Sequence, residues 1–158
     1  MSFSLQEAIQ ILERTPKILR VMLEGIDSKW ITFRKHNKSF SSLEVLGHLL
    51  AGEKTDWIPR MKLMLSNSSS KKFPTFNRTA FDTSLSLKDQ LDLFENLRIK
   101  NIETLKFSVK NEDLAKTGIH PELGLVNLEQ HLATWAVHDL THLFQINQSF
   151  AGFHASGQ

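Results

Sequence analysis

From Asn127 onward the chain carries its most restrictive pattern. Leu128, Leu132, Trp135, His138, His142 and Ile146 return at three- and four-residue steps and fall close to one stripe of a helix, while Ala133, Val137, Leu140 and Phe144 widen the apolar arc. A helix apolar over so much of its circumference is expected to be largely buried, so it needs other helices around it. Asn127 with Gln130 forms a capping box, in which a small polar side chain caps the first turn and an amide three residues on reaches back.

Three further segments supply the partners. Ser4 with Glu7 opens the first, where Leu5, Ala8, Ile9, Ile11 and Leu12 keep to one side. Thr15-Pro16 then interrupts it, because proline kinks a helix interior but is tolerated at a first helical position. Thr15 is therefore expected to cap a second piece, or mark a bend, running to about Ile26. After a polar linker holding Trp30 and Phe33, Ser41 with Glu44 starts a second helix expected to run unbroken through Val45, Leu49, Trp57, Met61 and Leu65. Ser86 with Asp89 starts a third, carrying Leu91, Phe94, Leu97, Ile102 and Leu105 and ending near Val109. Lys72 to Asn77 reads as a loop around Pro74 whose Phe73 and Phe76 need burial, and a turn-rich segment with Gly118, His120-Pro121 and Gly124 precedes the last helix. No segment alternates convincingly as a strand would. The expectation is one all-α domain over residues 1–158, an antiparallel four-helix bundle, with the stretch between Leu65 and Ser86 available as a crossover connection.

Composition narrows the function classes. An apolar share of 41% with 23% charged residues suits a folded core, and 19 Lys and Arg against 17 Asp and Glu leave no basic run to follow a phosphate backbone, so nucleic acid is not an expected partner. The chain has no cysteine, which excludes disulfides, thiolate metal sites and thiol nucleophiles of its own. Its first residues carry acids and no unbroken apolar core, and no run approaches the roughly 20 apolar residues that span a bilayer, so no membrane association and a cytoplasmic location are expected. Glycine-rich phosphate loops and a serine nucleophile elbow are absent.

The chemistry concentrates in histidine. His138 and His142 are four residues apart, hence on one helix face and separated by about 6 Å along the axis. Two such rings can share one ion, and a catalytic site of the zinc or nickel type uses three protein ligands and leaves a position open. His48 is the best third ligand, since it lies in Leu46-Gly47-His48-Leu49-Leu50, where a polar ring needs a reason. The plainer reading makes all three hydrogen-bonded core histidines. His131 is about 10.5 Å of helix from His138 and reads as packing or pocket lining. His120, in the loop before the last helix, can face a site mouth or simply be exposed; His36 and His154 read as surface residues. Asp139 points about 100 degrees away from His138, toward a helix contact rather than a metal. Glu53 shares the helix of His48 and can hydrogen-bond a ligand imidazole or a water at the metal, or form a surface salt bridge. Trp57 and Trp135 read as core.

Taken in order, five stretches resemble the DinB superfamily over nearly the whole chain: Leu12-Glu13-Arg14-Thr15-Pro16; Glu44-Val45-Leu46-Gly47-His48-Leu49; Glu53-Lys54-Thr55-Asp56-Trp57-Ile58-Pro59-Arg60; His120-Pro121-Glu122-Leu123-Gly124; and Leu132-Ala133-Thr134-Trp135-Ala136-Val137-His138-Asp139-Leu140-Thr141-His142, running on through Gln145-Ile146. Ser39-Phe40-Ser41 departs from the pattern, because relatives commonly carry a Trp before the capping Ser. The resemblance implies a four-helix bundle of up-down-down-up type, a divalent ion, nickel or zinc, on His48, His138 and His142, and a homodimer. It leaves the reaction open, since the family includes members described as metal-dependent hydrolases, thiol transferases and a thiol-dependent isomerase. Two readings follow. In the first, an enzyme activates water or a low-molecular-weight thiol such as bacillithiol, mycothiol or glutathione toward a small-molecule substrate, with Glu53 or His120 as proton shuttle. In the second, a non-catalytic dimeric bundle binds a metal or ligand.

Overall fold

The computed structural model describes residues 3–82 and 84–157; Met1, Ser2 and Gln158, at the ends of the expected domain, lie outside the described residues. Helix α1 spans Leu5–Leu23, a short α2 spans Ser28–Thr32, α3 spans Ser42–Thr55 and α4 spans Trp57–Leu65. Helix α5 (Leu87–Ser108) follows a long connection, and a hairpin of β1 (Thr117–His120) and β2 (Gly124–Asn127) leads into α6 (Leu128–Ala155). The capping boxes at Ser41/Glu44 and Asn127/Gln130 are complete, and Ser4 and Ser86 each cap through the side-chain oxygen.

Two buried apolar clusters give the helix directions. Ile9 and Leu12, Met61 and Met64, Ile102 and Leu105, and Leu128, Leu132 and Trp135 meet at one end of the bundle. Leu19 and Leu23, Val45 and Leu46, Leu91 and Phe94, and Leu143 and Ile146 meet at the other. Chain order through these clusters makes α1 and α6 run one way and α3–α4 and α5 the other, the up-down-down-up arrangement. Helix α1 packs on α5 and α6, and α3 packs on the same two. Parallel α3 and α5 require the chain to return to the starting end, which the connection through residues 66–86 does. No helix of the described residues is long and apolar enough to cross a membrane.

Several local expectations are corrected. The prolines behave in opposite ways. Helix α1 runs straight through Thr15-Pro16. Pro16 has no N–H for the carbonyl four residues back, and Arg98 Nη1 from α5 donates to that Leu12 oxygen at 2.9 Å instead. The expected single second helix divides at Asp56 (φ −113°, ψ −67°). Pro59 lies three residues beyond this division and cannot donate back to Thr55, so the α3 ladder stops and α4 begins with proline in its first turn, where it is tolerated. The linker around Trp30 contains the short α2.

The turn-rich segment holds a hairpin, with Thr117 opposite Asn127 and His120 opposite Gly124. The 66–86 connection pairs with it: Phe73 N–H donates to the Ile119 carbonyl at 2.9 Å and Ile119 N–H to the Lys71 carbonyl at 2.8 Å. Glycine is required at 118, because a Cβ there would sit 2.4 Å from the Phe73 ring, which is itself buried. The last helix is buried on its Leu128–Trp135–Ile146 stripe, but Val137, Leu140 and Phe144 are 60%, 48% and 61% exposed, contrary to the arc expected to be inside. With its main neighbours in α1, α2, α3, α4 and β2, α6 leaves that side uncovered.

Candidate metal centre

His48 sits on α3 and His138 and His142 sit one turn apart on antiparallel α6, which packs against α3, so their rings meet where the two helices face each other. The ring centroids are 5.2 Å (His48–His138), 4.6 Å (His48–His142) and 4.3 Å (His138–His142) apart. Nε2 of His138 lies 3.1 Å from Nε2 of His48 and 3.1 Å from Nε2 of His142. Nitrogens held at about 2.0 to 2.1 Å from one ion at angles of 90 to 110 degrees are separated by roughly 2.9 to 3.4 Å, so both contacts match ligands of a common centre.

Hydrogen bonds behind the rings set the tautomers. His48 Nδ1 donates to the Arg78 carbonyl at 3.1 Å, and His142 Nδ1 donates to Gln145 Oε1 at 2.9 Å. Each ring then presents a bare Nε2 lone pair to the others. His138 Nδ1 is buried without a partner among the described residues. Burial, with His142 and His48 adding like charge, pushes His138 down to about 2, and burial with His48 pushes His142 down to about 4. Burial also lowers His48. All three are neutral at pH 7, the form that ligates. Two fixed lone pairs converging on a third imidazole fit a divalent cation.

The triad opens onto a cleft of about 850 Å³ lined also by Phe40, Trp57, Phe76, Leu125 and Val126. His120 reaches this cleft from the end of β1, where its Nδ1 accepts the Glu122 and Leu123 backbone N–H groups at 3.1 and 3.2 Å, leaving Nε2–H as its donor. Burial, and then Arg60, lower its pKa. His131 also lines the cleft and donates from Nε2 to the Trp57 carbonyl at 2.9 Å. His36 and His154 are exposed.

Glu53 is absent from the cleft wall, which corrects its expected role beside a ligand imidazole or the metal, and the ion pair it forms is buried and not on the surface. It is 3% exposed, and its carboxylate accepts from Arg98 Nη2 (2.8 Å), Asn101 Nδ2 (3.0 Å) and Trp135 Nε1 (3.1 Å). Asp139 makes the helix contact expected of it, pairing with Arg98 at 2.6 and 3.1 Å. The sequence reading passed over Gln145 and the Arg78 carbonyl. Gln145 was findable, since a residue three beyond His142 shares its face; a backbone carbonyl carries no sequence signal.

Solved structures support the fold. The chain is similar to YfiT from Bacillus subtilis, described as a probable metal-dependent hydrolase with an unusual four-helix bundle topology, at 19% identity and a TM-score of 0.80, covering 94% of this chain and 88% of that one. It is similar to TT2238, described as a four-helix bundle protein, at 21% identity and a TM-score of 0.67, covering 92% and 99%. No curated protein matches the sequence. The DinB superfamily model matches residues 11–146, which takes in both the His48 helix and the HxxxH pair. This chain belongs to the DinB superfamily.

Proposed function

We propose that His48, His138 and His142 hold one divalent ion, nickel or zinc, and that the chain is a metal-dependent enzyme acting on a small molecule in the adjoining cleft. The observation that carries this reading is the convergence of three Nε2 atoms, two with tautomers fixed from behind, at the wall of an open cleft. An ion there would lower the pKa of water or a low-molecular-weight thiol and favour its attack on an electrophile. A thiol would come from a cofactor, because the chain has no cysteine. The Arg78 carbonyl and Gln145 keep His48 and His142 aimed, and His120 Nε2–H is the proton carrier on the cleft wall. Glu53 takes no part beyond packing. YfiT's description as a probable metal-dependent hydrolase supports the hydrolytic branch.

Protein loaded with nickel or zinc is to be assayed against ester and amide substrates, and in thiol transfer to an electrophile. Turnover that follows metal content and disappears in His48→Ala is expected. Metal-replete protein inert in both reactions would favour the non-catalytic binding bundle. The exposed row Val137, Leu140 and Phe144 supports a homodimer in either case; sedimentation of Leu140→Glu as a monomer against a dimeric parent is the expected outcome.

A further inference from the structure

A second cavity, of about 400 Å³, adjoins the cleft; its wall includes Lys35, His36, Lys38 and Gln148 and holds no carboxylate among the described residues. It shares Phe40 and Gln145 with the cleft. Both side chains stand next to the triad. The Phe40 ring centroid is 5.9 Å from that of His48, and Gln145 Oε1 accepts the His142 Nδ1–H at 2.9 Å. One side chain therefore separates the second cavity from the histidines.

The loop that forms this cavity is tied down. His36 N–H donates to Ser39 Oγ at 3.0 Å, and Ser39 N–H donates to the His36 carbonyl at 2.9 Å. Lys35 lies along α6 at Gly152, where a Cβ would be 3.8 Å from Lys35 Cγ. Arg34 is paired with Glu44, whereas Lys35 and Lys38 have no acidic partner among the described residues. Because His142 occupies Gln145 Oε1, the Nε2 hydrogens of Gln145 remain as donors at the boundary of the two cavities.

In the cleft itself the charges of the wall cancel. Arg60 pairs with Asp56 at 2.7 Å, Arg78 pairs with Glu122 at 2.8 Å, and the triad is neutral. A divalent ion on three neutral imidazoles would add two positive charges that the wall does not answer, which favours an anionic ligand. The basic cavity extends that positive field past Gln145.

We propose that Lys35, Lys38 and the Gln145 amide form a docking site for an oxyanion, carboxylate or phosphate, and that the substrate is a small molecule carrying such a group beside the part it presents to the triad. This deepens the proposed metal-dependent activity and rests on it for the reaction; the docking rests on the cavity. Ammonium groups meet either oxyanion as point charges, and the amide adds a directed donor.

NMR of the Gln145 side-chain amide reads the docking without turnover, in zinc-loaded and in metal-free protein at equal ionic strength. Glutarate and 3-phosphonopropionate are the probes, with butyrate as the control that lacks the second anionic group. At least one of the two probes is expected to move the Gln145 signal at roughly tenfold lower concentration than butyrate, and Lys35→Gln/Lys38→Gln is expected to erase the difference with zinc content unchanged. The tighter probe names the oxyanion. A signal that responds to neither probe, or equally to butyrate, or a preference that survives the double substitution, overturns the proposal. Zinc content measured on the same samples separates the two ideas. Lysine-dependent shifts in protein that takes up no zinc would overturn the metal reading alone, and zinc uptake without such shifts would overturn the docking site alone.

Discussion

Two polar clusters are built on the same pair of helices, from neighbouring positions, and they end in opposite states. His48 and Glu53 lie on α3, and His138 and Asp139 lie side by side on α6. Around Arg98 the charges meet their counter-charges: its two Nη nitrogens donate four bonds, to Leu12 O, Glu53 and both Asp139 oxygens, and only its Nε is left without a partner among the described residues. Its guanidinium lies 4.8 Å from the Phe94 ring centroid and 5.3 Å from that of Trp135. Burial opposes the Arg98 charge, and Asp139 and Glu53 more than offset it, so its pKa is raised. Around His138 the nitrogens converge with two lone pairs directed at one region, and among the described residues no cationic side chain bonds to them. The difference teaches what distinguishes a structural polar cluster from a site: the first balances its charges within the protein, and the second calls for a cation from outside.

The comparison is broken most forcefully at Arg98. Arg98→Met leaves two buried carboxylates unpaired and the Leu12 carbonyl unsatisfied, and is expected to cost roughly 3 to 5 kcal/mol in denaturant unfolding. His138→Ala in metal-free protein should cost well under that. Equal losses would mean that the triad is as structural as the Arg98 cluster.

Acid gives the next largest effect. His131 titrates near 6.5 when unperturbed and is pushed by burial to about 4. A depressed histidine pKa contributes stability that is fully present above 6.5 and lost as pH falls through 4, in total about 3 kcal/mol. In metal-free protein His142, also near 4, adds to the loss over the same window. Unfolding midpoints measured from pH 7 to pH 4 should fall accordingly, and His131→Gln should flatten the curve.

The smallest effect sharpens the account of Pro16. In the Arg98→Met background, Pro16→Ala restores an N–H for the Leu12 carbonyl and should recover about 1 kcal/mol. No recovery would show that the carbonyl is not what Arg98 satisfies.

What could be read from sequence was whatever local spacing decides. The Ser41/Glu44 and Asn127/Gln130 caps, the crossover length and the HxxxH pair depend on residues within a turn or two of each other, and His48 stood out as polar in an apolar run. What could not be read depends on partners distant in the chain. Arg98 lies among Glu95, Asn96 and Lys100 and looks like a surface residue until α3 and α6 close over it. Pro16 and Pro59 look alike in sequence, and only Pro16 has an arginine across the core to take its orphaned carbonyl. Val137, Leu140 and Phe144 are as apolar as core residues, and their exposure follows from which sides of α6 have neighbours. Trp57 is buried as a core residue would be, but that it also lines the cleft beside His138 depends on how α4 and α6 pack.

The central claim is that the triad holds one divalent ion, and elemental analysis of purified protein tests it directly. Grown without added metal, or incubated with nickel or zinc and desalted, the protein should carry about one ion per chain, and His138→Ala should carry none. Wild-type protein that stays metal-free after incubation, or a His138→Ala variant that retains the ion, would contradict it.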